Sequence, residues 1–100
     1  MKAIDTARKI AEKFGTRDCF AIAEKSGVKI VYENWYPATI GEFDKAKKTI
    51  CVNLRALANS KFSERKIVAH ELGHFFAAEF DFDRKREESF ARDFADELTK

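Results

Sequence analysis

Apolar residues recur at helical spacing at the start of the chain: Ala3, Ile4, Ala7, Ile10, Ala11 and Phe14, with Lys, Arg and Glu between them. The spacing predicts an amphipathic helix over 3–14, stopped at Gly15. Thr16 is the expected N-cap of a short second helix, with Asp18 in its first turn; that helix runs to Lys25, buries Phe20, Ile22 or Ala23, and ends at Gly27. The pattern then turns β-branched. Val28-Lys29-Ile30-Val31-Tyr32 reads as a strand, followed by Thr39 to Phe43 and Thr49 to Asn53. The polar turn Asp44 to Lys48 makes the last two a hairpin. Asn34, Trp35 and Tyr36 lie in the loop Glu33 to Pro37, where they rim a cleft or cap the core as a satellite cluster.

Leu54 to Lys61 reads as a connection with a helical turn. Ser63 is the expected N-cap of a long helix reaching Phe80. Ile67, Val68, Leu72, Phe75, Phe76 and Ala78 make that helix apolar over much of its circumference, which places it in the middle of the domain. Asp81-Phe82-Asp83 breaks it. A last helix starts near Arg84 and carries the stripe Phe90, Ala91, Phe94, Ala95 and Leu98. The short connection makes the two helices antiparallel neighbours. The expected fold is α+β: a three-stranded antiparallel-type sheet packed on the central helix, with N-terminal helices and a C-terminal helix.

Composition narrows the picture. One hundred residues with 45% hydrophobic content and ten phenylalanines suffice for one domain, 1–100, with a single core. The net charge of +2, from 19 basic and 17 acidic residues, gives no case for direct nucleic-acid binding. No apolar run approaches the length of a membrane span, and Met1-Lys2-Ala3-Ile4-Asp5 lacks the apolar core of an export signal, so the expectation is a cytoplasmic protein. Cys19 and Cys51 share no metal-ligand spacing and are expected as reduced, buried thiols.

The candidate chemistry lies on the long helix. Both histidines of the chain fall in His70-Glu71-Leu72-Gly73-His74. Positions i and i+4 share a helix face, so the two imidazoles can point at one ion. Zinc suits two imidazoles and a carboxylate, with the fourth position left for water. Glu71, about 100° round the helix from His70, is placed to take a proton from that water. This is the pattern of a zinc-dependent peptidase. Gly73 costs about 1 kcal/mol relative to Ala in a helix, which marks a close approach by backbone or substrate, or equally the packing of the helix on a strand. The third ligand is open on spacing alone. The apolar stripe of the last helix, extended backwards, passes through both Glu87 and Glu88, and Glu79, Asp81 and Asp83 are weaker candidates.

With these residues in place the chain resembles the ImmA/IrrE family of small bacterial and phage zinc metallopeptidases, gluzincin-like HExxH proteins. The likeness is carried by Arg65 to His74 and by Glu88-Ser89-Phe90-Ala91-Arg92-Asp93-Phe94-Ala95, which looks like the family's Glu-x-x-Ala-x-x-Phe-Ala signature. Ser26 to Tyr32 and Ile50 to Asn53 extend it over most of the chain. The resemblance implies a small zincin-like domain, zinc held by His70, His74 and Glu88, and Glu71 as general base. It also implies a protein substrate of the repressor-like, DNA-binding kind. The chain departs from the family at Arg92, where Asn or Asp is common; Asp93 and Asp96 are the residues at hand to orient a histidine in its place. It also ends at Lys100, where many relatives continue, which reads as a minimal catalytic domain or as a naturally short member that acts through a partner.

Two functions follow. One is a zinc endopeptidase holding an extended substrate along a strand edge, with Tyr32 or Tyr36 as an oxyanion donor or a structural tyrosine. The other is a zinc-containing module that grips a regulator without cutting it, as an antirepressor or antitoxin-like partner. A domain that carries the motif incidentally is a third, bland alternative.

Overall fold

The computed structural model describes residues 2–35 and 39–100. Helix α1 (Lys2–Phe14) buries Ala3 and Ala7. It stops at Gly15, whose φ of 68° lies in the left-handed region that favours glycine. Helix α2 (Cys19–Lys25) buries Cys19, Ile22 and Ala23 and is capped by Asp18 rather than Thr16. Asp18 takes the extended backbone of an N-cap, and its carboxylate accepts from the Phe20 N–H at 3.0 Å. Thr16 Oγ1 instead accepts from the Asp18 N–H.

Strands β1 (Lys29–Glu33), β2 (Gly41–Asp44) and β3 (Thr49–Asn53) form a sheet of order β1-β3-β2. β2 and β3 are the expected hairpin, with Gly41 opposite Val52 and Asp44 opposite Thr49. β1 and β3 run parallel, from Lys29 opposite Thr49 to Glu33 opposite Asn53. The sheet is therefore mixed, which corrects the antiparallel-type expectation. β1 and β2 are the two edges, and the hairpin sets β3 between them. The most apolar strand thereby gains two neighbours. Ile50 and Val52 are fully buried on the helix-covered face, whereas Cys51 points to the other face and is half-buried, not buried as expected.

The connection into β2 is held by a buried amide. Asn53 Nδ2 donates to the Thr39 carbonyl at 2.9 Å, and the Asn53 N–H donates to the Ile40 carbonyl at 2.8 Å. Asn53 also caps helix α3 (Leu54–Ala58), its Oδ1 accepting from the Arg55 N–H at 3.2 Å.

Helix α4 (Glu64–Ala77) is capped by Ser63 and buries Val68, Ala69 and Leu72 completely. It ends at Ala77, three residues short of the expected Phe80. Asp83 caps helix α5 (Arg84–Leu98), accepting from the Arg86 N–H at 2.8 Å. The helices are antiparallel, since partners ascending one descend the other: His74 with Glu87, Lys66 with Asp96, Arg65 with Thr99. A Cβ on Gly73 would stand 2.8 Å from Ala91 Cα and 3.0 Å from the Ala91 carbonyl oxygen. The close approach signalled by Gly73 is thus by the backbone of α5. At the far end, the buried Glu97 carboxylate meets Lys100 at 2.9 Å, Arg8 at 3.3 Å and Arg17 at 3.8 Å. Lys100 first, and then Arg8, hold its pKa below the usual carboxylate value against the opposing effect of burial. Arg8 and Arg17 also tie α1 and the segment leading into α2 to the end of α5.

Gly73→Ala tests the helix contact. Propensity alone would stabilise α4 by about 1 kcal/mol, but pushing a methyl into unyielding backbone costs about 1–3 kcal/mol. The expected net result is a thermal midpoint several degrees lower by circular dichroism; a raised midpoint would show that the helices are not in backbone contact.

Candidate metal centre

His70 and His74 lie one turn apart on α4, with ring centroids 5.2 Å apart. The Gly73–Ala91 contact brings the first turns of α5 across them. Glu88 faces both rings: Oε1 is 2.8 Å from His70 Nε2, and Oε2 is 3.3 Å from His74 Nε2. One ligand atom from each of the three residues lies within 4.8 Å of the others. Glu87, next in the chain, turns to the other nitrogen of His74, with Oε2 2.8 Å from Nδ1. A carboxylate only accepts, so the shorter Glu87 contact favours the tautomer with its proton on Nδ1, the one that would leave Nε2 able to bind a cation.

These residues suit a tetrahedral cation. Bonds of about 2.0–2.2 Å to imidazole and carboxylate put ligand atoms about 3.3 Å apart. The His74–Glu88 separation already has that value, and the His70–Glu88 hydrogen bond has to lengthen by about half an ångström for a cation to replace its proton. Two neutral imidazoles and a carboxylate form a borderline donor set that zinc accepts.

Glu71 sits beside the three but turns inward and is only 8% exposed. Burial pushes its carboxyl up to about 7; the nearby His74 opposes that shift, and Glu88 and Glu42 add to it. β2 closes over it through Gly41, where a Cβ would stand 2.9 Å from Ile67 Cγ2 and 3.3 Å from the Glu71 carboxylate. Glu71 lines two clefts. One, on the His74 side, has Glu42, Lys45, Arg84 and Glu87 in its wall. The other, on the His70 side, has Ile40, Phe62, Ile67 and Ala95. Thr39 and Gly41 line both.

The structure thus brings His70, Glu71, His74 and Glu88 together and separates the roles of Glu87 and Glu88. Asp83 caps α5, and Glu79 and Asp81 are not in the cluster. Asp93 and Asp96, expected to orient a histidine, face Arg92 at 3.9 Å and Lys66 at 2.6 Å instead, because both lie further along α5 than the histidines reach. Tyr32 interacts with Glu64 at the start of α4 and lines neither cleft; partial burial and that carboxylate raise its phenol to about 12. Trp35 also lines neither, its indole N–H donating to Thr39 Oγ1 at 3.3 Å. Tyr36 lies outside the described residues. Sequence reasoning missed the part of Glu87 and of Gly41. A glycine inside a strand pattern is itself a signal of close backbone approach.

Comparison with protein-family models, with curated proteins and with solved structures finds no match for the chain. Among the described residues no helix is long and apolar enough to cross a membrane.

The raised pKa of Glu71 has a consequence for the chelator-treated protein. The folded state holds a proton that the unfolded chain releases near 4.5, so this residue's contribution to stability falls as pH rises from about 4.5 through about 7. A shift of that size corresponds to about 3 kcal/mol. Glu71→Gln is therefore expected to be more stable than the parent at pH 8, with the gap closing near pH 5. Thermal midpoints across that range check it; a gap independent of pH would show an ordinary carboxylate. Glu97, whose pKa is lowered, acts at lower pH: its stabilisation is lost as pH falls below the ordinary carboxylate value.

Proposed function

We propose that the chain is a zinc-dependent endopeptidase with a small zincin-like fold, related to the ImmA/IrrE enzymes it resembles. One observation carries the reading: both histidine Nε2 atoms face the two oxygens of Glu88, with the buried carboxylate of Glu71 alongside. A chance HExxH would not require an acid from another helix to meet both rings.

His70, His74 and Glu88 would hold zinc, which supplies Lewis-acid activation of water and of the scissile carbonyl. Glu71 accepts the proton of the attacking water and passes it to the leaving amine. Its low exposure keeps bulk water from competing for that proton. Glu87 fixes the tautomer and ring plane of His74 through Nδ1. β2 is an edge strand, so its outer backbone groups can pair with an extended substrate passing Glu71. The family likeness adds the substrate class, a repressor-like DNA-binding protein. Arg92 stands where relatives often carry Asn or Asp, and its exposed guanidinium lines the His70-side cleft rather than touching a histidine.

The test is chemical and metal-based together. Purified protein is expected to carry one zinc per chain, and Glu71→Gln to keep it while losing cleavage of a repressor substrate by about 10²–10⁴-fold. Equal cutting by Glu71→Gln, or a zinc-free protein that still cuts, overturns the mechanism; a partner bound stoichiometrically and left intact favours the non-proteolytic module. Glu87→Ala is expected to weaken zinc affinity about 10–100-fold in a competition titration, with little change in the fold of the metal-free protein.

A further inference from the structure

The two clefts that meet at Glu71 share one plan. Thr39 and Gly41 stand in one wall of each, α4 supplies the floor, and α5 supplies the opposite wall. Arg84 stands in that wall on the His74 side and Arg92 on the His70 side. Both also line a groove over the outer surface of α5, together with Lys85, Glu88 and Ser89. Positions 84, 88 and 92 are spaced by four, so they form one row along the helix, with the candidate third ligand between two arginines.

The cations of this row are poorly answered within the protein. Arg84 is exposed, and its side chain has no hydrogen-bond or ion-pair partner among the described residues. Arg92 is 62% exposed; its Nε is 3.9 Å from Asp93 Oδ1 and its Nη2 is 3.4 Å from Ser89 Oγ, both long for such contacts. The acids nearby are committed elsewhere. Asp96 meets Lys66 at 2.6 Å, and Glu87 meets His74 at 2.8 Å. Glu88 would give its charge to a bound cation, which leaves the two guanidiniums on either side of it unneutralised. Glu42 is left as the one exposed acid of the clefts without such a partner among the described residues, and Lys45 lines the same cleft.

The spacing of the row matches an extended peptide. Eight residues of α-helix set Arg84 and Arg92 about 12 Å apart. An extended chain covers about 13 Å in four residues, and its positions i and i+4 point to the same face. A strand laid along β2 would thus hold two side chains opposite the two arginines, with the bond near Glu71 between them. Guanidinium pairs with carboxylate in a planar, two-pronged geometry.

We propose that Arg84 and Arg92 select a substrate segment with acidic residues on both sides of the cut, four positions apart. The inference rests on the peptidase reading and supplies its substrate class, an acidic peptide segment. Arg84 and Arg92 are its specificity-determining residues. Arg86, about 200° round the helix from Arg84, lines neither cleft and serves as the control for net charge.

Two measurements test it. The zinc-loaded protein is incubated with a randomised dodecapeptide library, and the cut ends are read by mass spectrometry. Asp and Glu are expected to be enriched about fivefold at each of two positions four apart that bracket the cut. Arg84→Gln and Arg92→Gln should each remove the enrichment at one of the two positions. The double variant Arg84→Glu/Arg92→Glu should replace Asp and Glu by Lys and Arg at both, while Arg86→Glu keeps the parent's pattern. Separately, the Glu71→Gln protein, with zinc and with chelator, is titrated with fluorescein-labelled alanine-based decapeptides carrying two Asp four apart, two Asp three apart, two Lys four apart, or no charge. The zinc-loaded protein is expected to bind the Asp pair four apart most tightly and the Lys pair least, with differences that shrink as salt rises from 50 to 500 mM. Cutting without acidic enrichment, or a preference that survives in Arg84→Glu/Arg92→Glu or disappears in Arg86→Glu, overturns the row and leaves the peptidase. A library left uncut with the Asp-pair preference intact overturns the peptidase and leaves the row. No cutting and no preference overturns both. Duplex DNA bound more tightly than the Asp-pair peptide, and released by the double variant, would assign the row to nucleic acid and overturn the proposal.

Discussion

The contact between Gly73 of α4 and the backbone of Ala91 in α5 is the constraint from which the candidate centre follows. Packed helices ordinarily lie 8–10 Å apart, held off by their side chains. Here a glycine meets an alanine, and the two backbones come close at one point. That point also fixes the register. His70 stands one turn before Gly73 and His74 directly after it, while Glu88 stands one turn before Ala91 on the antiparallel helix. Convergence of the three side chains is therefore a property of the helix contact, and anything that separates the helices separates Glu88 from the histidines.

A second glycine performs the same task for the sheet. Gly41 lets β2 settle against Ile67 and the Glu71 side chain. The result is a carboxylate enclosed between an apolar helix and a strand edge, where desolvation raises its pKa. Burying such a group is unfavourable for stability. A buried acid with a raised pKa next to two histidines and a second carboxylate is what makes this cluster the candidate site. The division between Glu87 and Glu88 belongs to the same design: adjacent residues on a helix point about 100° apart, so one can face the rings' Nε2 atoms while the other reaches round to Nδ1.

The remaining buried polar groups hold the scaffold in place. Asn53 binds both Thr39 and Ile40, the residues that lead into β2 and form the shared wall of the two clefts. Glu97 gathers Arg8, Arg17 and Lys100 and fastens the N-terminal helices to the end of α5. Neither residue reaches the centre, yet each positions an element that does.

The sequence by itself determined the parts. Periodicity marked α1, α4 and α5, because a helix records which of its sides is buried at every third or fourth residue. The β3 segment, the hairpin and the break at 81–83 were legible for the same local reasons, as was the pairing of His70 and His74, which needs only one turn of helix. The likeness to a peptidase family pointed to Glu88, and the structure sets that side chain against both rings. What only tertiary structure decided was every relation between distant segments. The parallel pairing of β1 with β3 depends on where the hairpin inserts. The role of Glu87 depends on how far α5 is rotated over α4. The half-exposure of Cys51 depends on which face of the sheet the helices cover. Even the cap of α2 passed from Thr16 to Asp18 through a single local competition. Local hydrogen bonding and the side an element buries are written residue by residue, whereas strand order and the meeting of side chains from different elements follow from the register in which those elements pack.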